Sequence, residues 1–349
     1  EIIHVRDWHD HKDPLQQREL EKYGLHCIKD SWGAEFIWEN KKILKKTKKV
    51  HIVNSKKIMT ATEPEFSNLL KKIIGKSKKE DVKIGIIGVL TNIKVSQMAI
   101  SLQGFYDLHN LSVCSALTAS TNIRRHFQGL DDLSNLYGVK LFDSIKQFGD
   151  WMNVNTKLSS GIKKFDTPKI KQLNSEKITK QQETITNYLF KECKNLTLEE
   201  LSGGYSGSKV FLVDSVDRQG FEETPTILKL DRTEAIGKER MGFEKVQHVL
   251  GPHMPQILDS IETENGAGIR YSFAMMNKKS SPKTFKEFFM QLNVTKKRDK
   301  EKLVKCINTL CDEIFEPLYG NWILDQKQLW KANTFKVEYI GLVKDSITK

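Results

Sequence analysis

An alternation in the first 150 residues constrains the fold more than any other feature of the sequence. Short apolar runs at residues 2–5, 35–38, 50–54, 82–89 and 111–115 are separated by segments with helical periodicity, such as 65–74 and 95–106. Parallel strands need a crossover long enough to hold a helix, so this spacing predicts a parallel sheet covered by helices. The helix at 95–106 follows directly on the strand at 83–89. The turn between them, residues 90–94, therefore falls at a strand's carboxyl end, where open α/β sheets place their active sites.

At 349 residues and 38% hydrophobic content the chain can bury two cores. Residues 159–182 turn polar and lysine-rich around Thr167-Pro168, which reads as a linker. A helix at 183–191 follows, and strands resume around 203–213 and 226–230. The net charge of +12 is mostly lysine, in runs such as Lys41, Lys42, Lys45, Lys46, Lys48 and Lys49 without interleaved aromatics. That is the pattern of a solvated face, so nucleic acid is not the expected partner. Five irregularly spaced cysteines, including Cys306 and Cys311, fit reduced core thiols and a cytoplasmic setting. No apolar run reaches the roughly 20 residues needed to span a bilayer, and no signal peptide opens the sequence. Glu1-Ile2-Ile3-His4-Val5 reads as a buried strand with no initiating methionine, so a first strand is expected to be missing ahead of it.

Two groups of residues carry chemistry. In the first, Asp7-Trp8-His9 follows the opening strand and, after sixteen intervening residues, His26-Cys27 comes before Gly33-Ala34-Glu35. A carboxylate and two imidazoles make a facial set for zinc or another divalent metal with open positions for water or substrate. Spacing alone equally allows ordinary turn histidines. The pattern resembles the nicotinamidase branch of the isochorismatase-like superfamily, in which the equivalent Asp, His and His hold a zinc ion; relatives in that superfamily keep similar residues with no metal.

A second block, Gly88-Val89-Leu90-Thr91-Asn92-Ile93-Lys94-Val95 with Ala99, resembles that family's nucleophile turn, G-x-x-T-D-x-C-V-x-x-T-A. The resemblance implies an acyl-enzyme route through a cysteine thiolate at a helix N-terminus. Here Asn92 stands for the aspartate and Lys94 for the cysteine. A lysine ammonium at a helix N-terminus faces like-signed partial charge and cannot attack until deprotonated, so an inactive hydrolase is expected. The family's catalytic lysine falls at Lys56, with Lys57 as the alternative. Its catalytic aspartate belongs on the missing first strand. The family often oligomerises, so the resemblance also allows a homo-oligomer.

The second group begins in a glycine-rich hairpin, Leu201-Ser202-Gly203-Gly204-Tyr205-Ser206-Gly207-Ser208-Lys209. Such a loop brings backbone N–H groups close to phosphates, although a turn needing positive φ has the same composition. Thr226-Ile227-Leu228-Lys229-Leu230 then gives a lysine at an inward strand position, and Glu239 is expected to open a helix about ten residues on. In kinase-like folds such a lysine reaches the α and β phosphates and is held by a helix glutamate. Together these residues resemble the amino-terminal lobe of an aminoglycoside phosphotransferase/choline kinase-like domain. In that resemblance residues 271–277 lead into the hinge, and segments at 284–289, 300–319 and 326–339 begin the larger lobe. No histidine follows His253, so no His-x-Asp catalytic loop occurs after residue 253.

The expected fold class is therefore α/β. A parallel-sheet isochorismatase-like domain, with its first strand missing, is expected at 1–158, a linker at 159–182 and a protein-kinase-like α+β domain at 183–349, so that the whole chain is expected to be truncated at both ends. The expected cofactor- and metal-binding residues are Gly203, Gly204, Ser206, Gly207, Lys229 and Glu239 for ATP with Mg, and Asp7, His9 and His26 for zinc or another divalent metal. The function expected is small-molecule sensing or regulation by a hydrolase-like pocket fused to a nucleotide-binding module. The alternatives are a phosphotransferase whose catalytic loop lies outside this chain and a metal-dependent amidohydrolase of nicotinamidase type.

Overall fold

The computed structural model describes residues 1–36, 49–154, 166–173, 176–201, 207–251, 254–273, 285–293 and 295–317. The chain divides into two compact units, Glu1–Thr156 and Lys157–Lys349. Among the described residues no helix is long and apolar enough to cross a membrane.

The first unit is built from parallel strands and covering helices. Strand β1 (Ile2–Asp7) pairs in parallel with β2 (Val50–Ser55), in a register that sets Asp7 opposite Ser55. Strands β3 (Ile84–Val89), β4 (Leu111–Ala119) and β5 (Lys140–Phe142) form a second parallel sheet in that order. Helix starts follow the local chemistry. In α1 (Pro14–Tyr23) proline stands in the first turn and the Asp13 side chain accepts from Leu15 N; α2 (Pro64–Ile74) also begins on proline. Helix α3 (Ser96–Tyr106) ends on Asp107 in the left-handed region. Asn122 caps α4 (Ile123–Asn135) and Ser144 caps α5 (Ile145–Trp151). Leu102, Leu111, Val113, Leu130 and Leu133 are fully buried between these layers.

Two local expectations need correction. Residues 90–94 are not a loose turn: Thr91–Val95 is already helical, a π turn that runs straight into α3. The apolar run at 35–38 is not a strand in its described part. A 3-10 turn occupies Trp32–Ala34, Glu35 N donates to Trp32 O at 3.1 Å, and residues 35 and 36 belong to no strand, while 37 and 38 lie outside the described residues.

The second unit holds a six-stranded sheet. In chain order its strands are β6 (Lys169–Leu173), β7 (Cys193–Glu200), β8 (Lys209–Asp217), β9 (Thr226–Asp231), β10 (Ile257–Thr263) and β11 (Gly266–Ser272). Their spatial order is β10-β11-β9-β8-β7-β6, antiparallel except for the β6–β7 pair. The segment read as a linker thus contains an edge strand. Between β6 and β7 runs α6 (Lys180–Leu189), opened by a reciprocal capping box of Thr179 and Gln182. Between β9 and β10 runs α7 (Thr233–Leu250), so Glu239 lies inside a helix that begins six residues earlier than expected. Helices α8 (Phe285–Gln291) and α9 (Lys297–Leu310) follow, and the helix expected at 326–339 lies outside the described residues.

The strand alternation assigns a helix to each face of this sheet. Leu196, Leu198, Leu228 and Leu230 pack with Ile185 and Leu189 of α6. Approach there is so close that a Cβ on Gly268 would stand 2.4 Å from Ile185 Cγ2. On the other face Ile269 and Tyr271 of β11 and Ile227 of β9 pack with Ile236 and Phe243 of α7.

Candidate functional site

The first site is assembled at strand ends. Asp7 closes β1, and the chain beyond it stays extended long enough for His9 to form a parallel bridge with Ile28. His9 N donates to Cys27 O at 2.9 Å and Lys29 N donates to His9 O at 2.8 Å, which brings the His26-Cys27 segment alongside. Cys27 takes a positive φ of 46° to make this turn. The ring centroids of His9 and His26 lie 4.7 Å apart, edge to face.

Hydrogen bonding fixes both imidazole tautomers. His9 Nδ1 lies 3.2 Å from Gln16 Oε1, an oxygen that also accepts from Asp10 N at 3.1 Å. Gln16 is oriented in turn by Asp13 Oδ2, which accepts from its Nε2 at 2.7 Å. His26 Nδ1 donates to Gly24 O at 2.8 Å. Both partners are oxygen acceptors, so each Nδ1 carries a proton, and in the neutral tautomer that this selects the Nε2 bears the lone pair. His9 is 0% exposed and its Nε2 has no hydrogen-bond partner; Glu19 Oε1 stands off at 4.0 Å. A buried imidazole nitrogen oriented by a neighbour on its other side and left unpaired is the arrangement of a metal ligand.

Asp7, His9 and His26 offer ligand atoms that all lie within 4.8 Å of one another. Zinc with nitrogen and oxygen bonds of about 2.1 Å needs ligand atoms somewhat closer, so the donor set fits the ion after a contraction of about 1 Å. The expected trio is thus brought together, and with His9 buried rather than exposed in a turn.

Lys94 enters the same place from the turn after β3. Its Nζ lies 2.7 Å from Asp7 Oδ1 and donates to Lys57 O at 2.9 Å, with the two ion-pair side chains only 21% and 24% exposed. Lys57 O is held firmly. Ser55 Oγ donates to it at 2.8 Å, and the buried carboxylate of Glu63, 7% exposed, accepts from Lys56 N at 2.9 Å and Lys57 N at 3.2 Å. Lys56 and Lys57 are both exposed, and this loop contributes a backbone carbonyl to Lys94. The Lys94 turn is itself braced by Thr91 Oγ1 hydrogen-bonded to His126 Nδ1 at 2.8 Å and by Ser120 Oγ donating to Asn92 Oδ1 at 2.8 Å.

Cys27 is not set up as a thiolate. Burial pushes its thiol above the ordinary range and the neighbouring Asp7 carboxylate adds to this, while Lys94 offsets part of it. The group that is chemically set apart here is the Lys94–Asp7 pair.

In the second unit Lys229 and Glu239 do meet. Lys229 Nζ lies 2.5 Å from Glu239 Oε2, and Tyr271 Oη donates to Glu239 Oε1 at 2.6 Å. Burial first, and then the hydrogen bond to Glu239, push the Tyr271 hydroxyl far above its ordinary range, so it remains a donor. Lys229 sits on the face of β9 that α7 covers, half-buried, with Ile269 opposite it on β11. Gly203, Gly204 and Ser206 lie outside the described residues. Gly207 has φ of +75° and open space where a Cβ would point, and its neighbour Ser208 donates to Asp231 at the end of β9. Sequence reasoning missed Gln16, Glu63 and Tyr271, which act by orienting the residues it found. Asp13-x-x-Gln16 at a helix start was the one available signal among them.

A family model described as "Ternary complex associated domain 9" matches residues 193–337. No curated protein matches the chain. Among solved structures, the chain is similar to a nicotinamidase/pyrazinamidase from Bacillus subtilis at 18% identity, over 40% of this chain and 73% of that one, with a TM-score of 0.35. A pyrazinamidase/nicotinamidase from Streptococcus mutans is similar at 22% identity, over 40% and 75%, with a TM-score of 0.35. A pyrazinamidase from Pyrococcus horikoshii in complex with zinc is similar at 18% identity, over 40% and 73%, with a TM-score of 0.32.

Proposed function

We propose that this chain joins an isochorismatase-like hydrolase unit without a working nucleophile to a kinase-like unit that binds nucleotide, and that it acts in small-molecule sensing or regulation. The observation that carries this reading is the Lys229–Glu239 pair in its setting. A lysine on the third strand of an antiparallel run, a following helix that supplies its glutamate, and the later β11 inserted beside β9 are the parts a nucleotide-binding kinase lobe needs. Ser208, just ahead of β8, donates to Asp231 at the end of β9.

For the first unit, the support is Lys94. Its ammonium stands at the nucleophile position of the motif and is paired with Asp7 and capped by Lys57 O, so its lone pair is unavailable for acyl transfer. The remaining Asp7, His9 and His26 favour a retained small-molecule or metal pocket over a hydrolytic one. Purified protein should bind MgATP in calorimetry and should not hydrolyse nicotinamide above background, with or without added zinc. Turnover at enzyme-like rates would instead favour the amidohydrolase reading, with a metal supplying the nucleophilic water.

A further inference from the structure

We propose that the Lys94 ammonium is a tethered competitor for a divalent cation at the Asp7–His9–His26 cluster, so that metal enters only by displacing Lys94 from Asp7 or by tolerating a like charge beside it. Asp7 is the one carboxylate of this trio, and His9 and His26 would ligate through Nε2 as neutral imidazoles. A dication held by this set draws most of its charge attraction from the single carboxylate. Lys94 already occupies one oxygen of that carboxylate at 2.7 Å.

The lysine is held as well as attracted. Lys57 O accepts from its Nζ at 2.9 Å, and that carbonyl is fixed through Ser55 and the buried Glu63 carboxylate. Binding metal at the free Asp7 oxygen would leave an ammonium within roughly 5 Å of a double charge, where repulsion is large even at the effective dielectric of a protein surface. The pair is about three-quarters buried, so salt screens this repulsion only in part. Vacating the site would instead break a charge-assisted hydrogen bond on each side of the ammonium. Either route weakens metal binding, while the fixed histidine tautomers keep the ligand geometry ready.

The inference deepens the reading of the first unit as a pocket whose nucleophile position is filled by lysine. Metal uptake is read without substrate, so hydrolysis by the wild type would contradict that reading and leave this one to the titration. Zn2+ affinity is measured on the full chain by chelator competition, with the visible absorption of Co2+ reporting a low-coordinate protein site that His9→Ala should remove. Lys94→Met and Lys94→Gln remove the charge, and Lys94→Arg keeps it. The neutral variants are expected to bind Zn2+ at least about tenfold more tightly than wild type, and Lys94→Arg to stay within about threefold of it. Adding His9→Ala to Lys94→Met should abolish the gain. Equal affinity in wild type and both neutral variants, no metal binding in any of them, an equal gain in Lys94→Arg, or a gain that survives His9→Ala would each overturn the proposal.

Discussion

Lys94, in the π turn that follows β3, and Asp7, at the end of β1 in the other sheet, meet with Nζ 2.7 Å from Oδ1. Each side chain is the other's charge partner, and both are mostly shielded from water. A double-mutant cycle with Asp7→Asn and Lys94→Met should give a coupling of about 1 kcal/mol in denaturant unfolding, at the upper end for partly exposed pairs. A coupling near zero would mean that the pair does not hold the two sheets' strand ends together.

The turn that carries Lys94 is seated against α4 at a glycine. A Cβ on Gly129 would stand 2.9 Å from both Cα and N of Asn92, which are backbone atoms that cannot swing aside. Gly129→Ala should therefore lower stability by about 1–3 kcal/mol and displace the Lys94 turn. Unfolding free energy and the affinity for Zn2+ would be measured together, and an unchanged unfolding curve would contradict this packing.

Thiol titration gives a pH window in the second unit. Burial first, and then the hydrogen bond to Glu223, push the buried Cys193 thiol from 9.0 up to about 11. The folded state therefore holds its proton more tightly than the unfolded chain. The sign follows: this contribution is fully present below pH 9 and is lost as pH rises towards about 11, at roughly 1.4 kcal/mol for each pH step of one. Denaturation midpoints from pH 8 to 11 should fall more steeply for wild type than for Cys193→Ala. Parallel curves would contradict it.

Tyr271 fastens the glutamate that fastens Lys229. Tyr271→Phe removes the donor to Glu239 Oε1 but keeps the ring that packs 4.8 Å from Phe243. Stability should fall by about 1 kcal/mol and MgATP affinity severalfold, with binding recovered least in Tyr271→Leu, which loses the ring as well. Unchanged nucleotide affinity in Tyr271→Phe would show that Glu239 needs no second anchor.

Much of the fold was legible because its signals are local. The apolar runs at 2–5 and 50–54, the helical periodicity at 65–74 and the inward lysine in the strand at 226–230 each specify a strand or helix within a few residues. Errors fell where tertiary contacts decide. Residues 90–94 read as a turn because they fall between the strand at 83–89 and the helix at 95–106, yet a buried contact of Thr91 with His126 and a part-buried one of Asn92 with Ser120 hold them in a helical π turn. The polar edge strand β6 carries Lys169 and Lys171 on its exposed side and so reads as linker, although pairing with β7 makes it part of the sheet. In the candidate sites, side chains with motif spacing were found and their supports were not. Gln16, Glu63 and Tyr271 act across turns or from neighbouring strands, and no linear spacing links them to the groups they orient.

The pairing of Lys229 with Glu239 makes the nucleotide claim the one to test first. Calorimetric titration of MgATP into the full chain should show one saturable site in wild type, weakened at least about tenfold in Lys229→Ala, with Glu239→Gln between the two. Equal binding by wild type and Lys229→Ala, or no binding by wild type, would contradict the account.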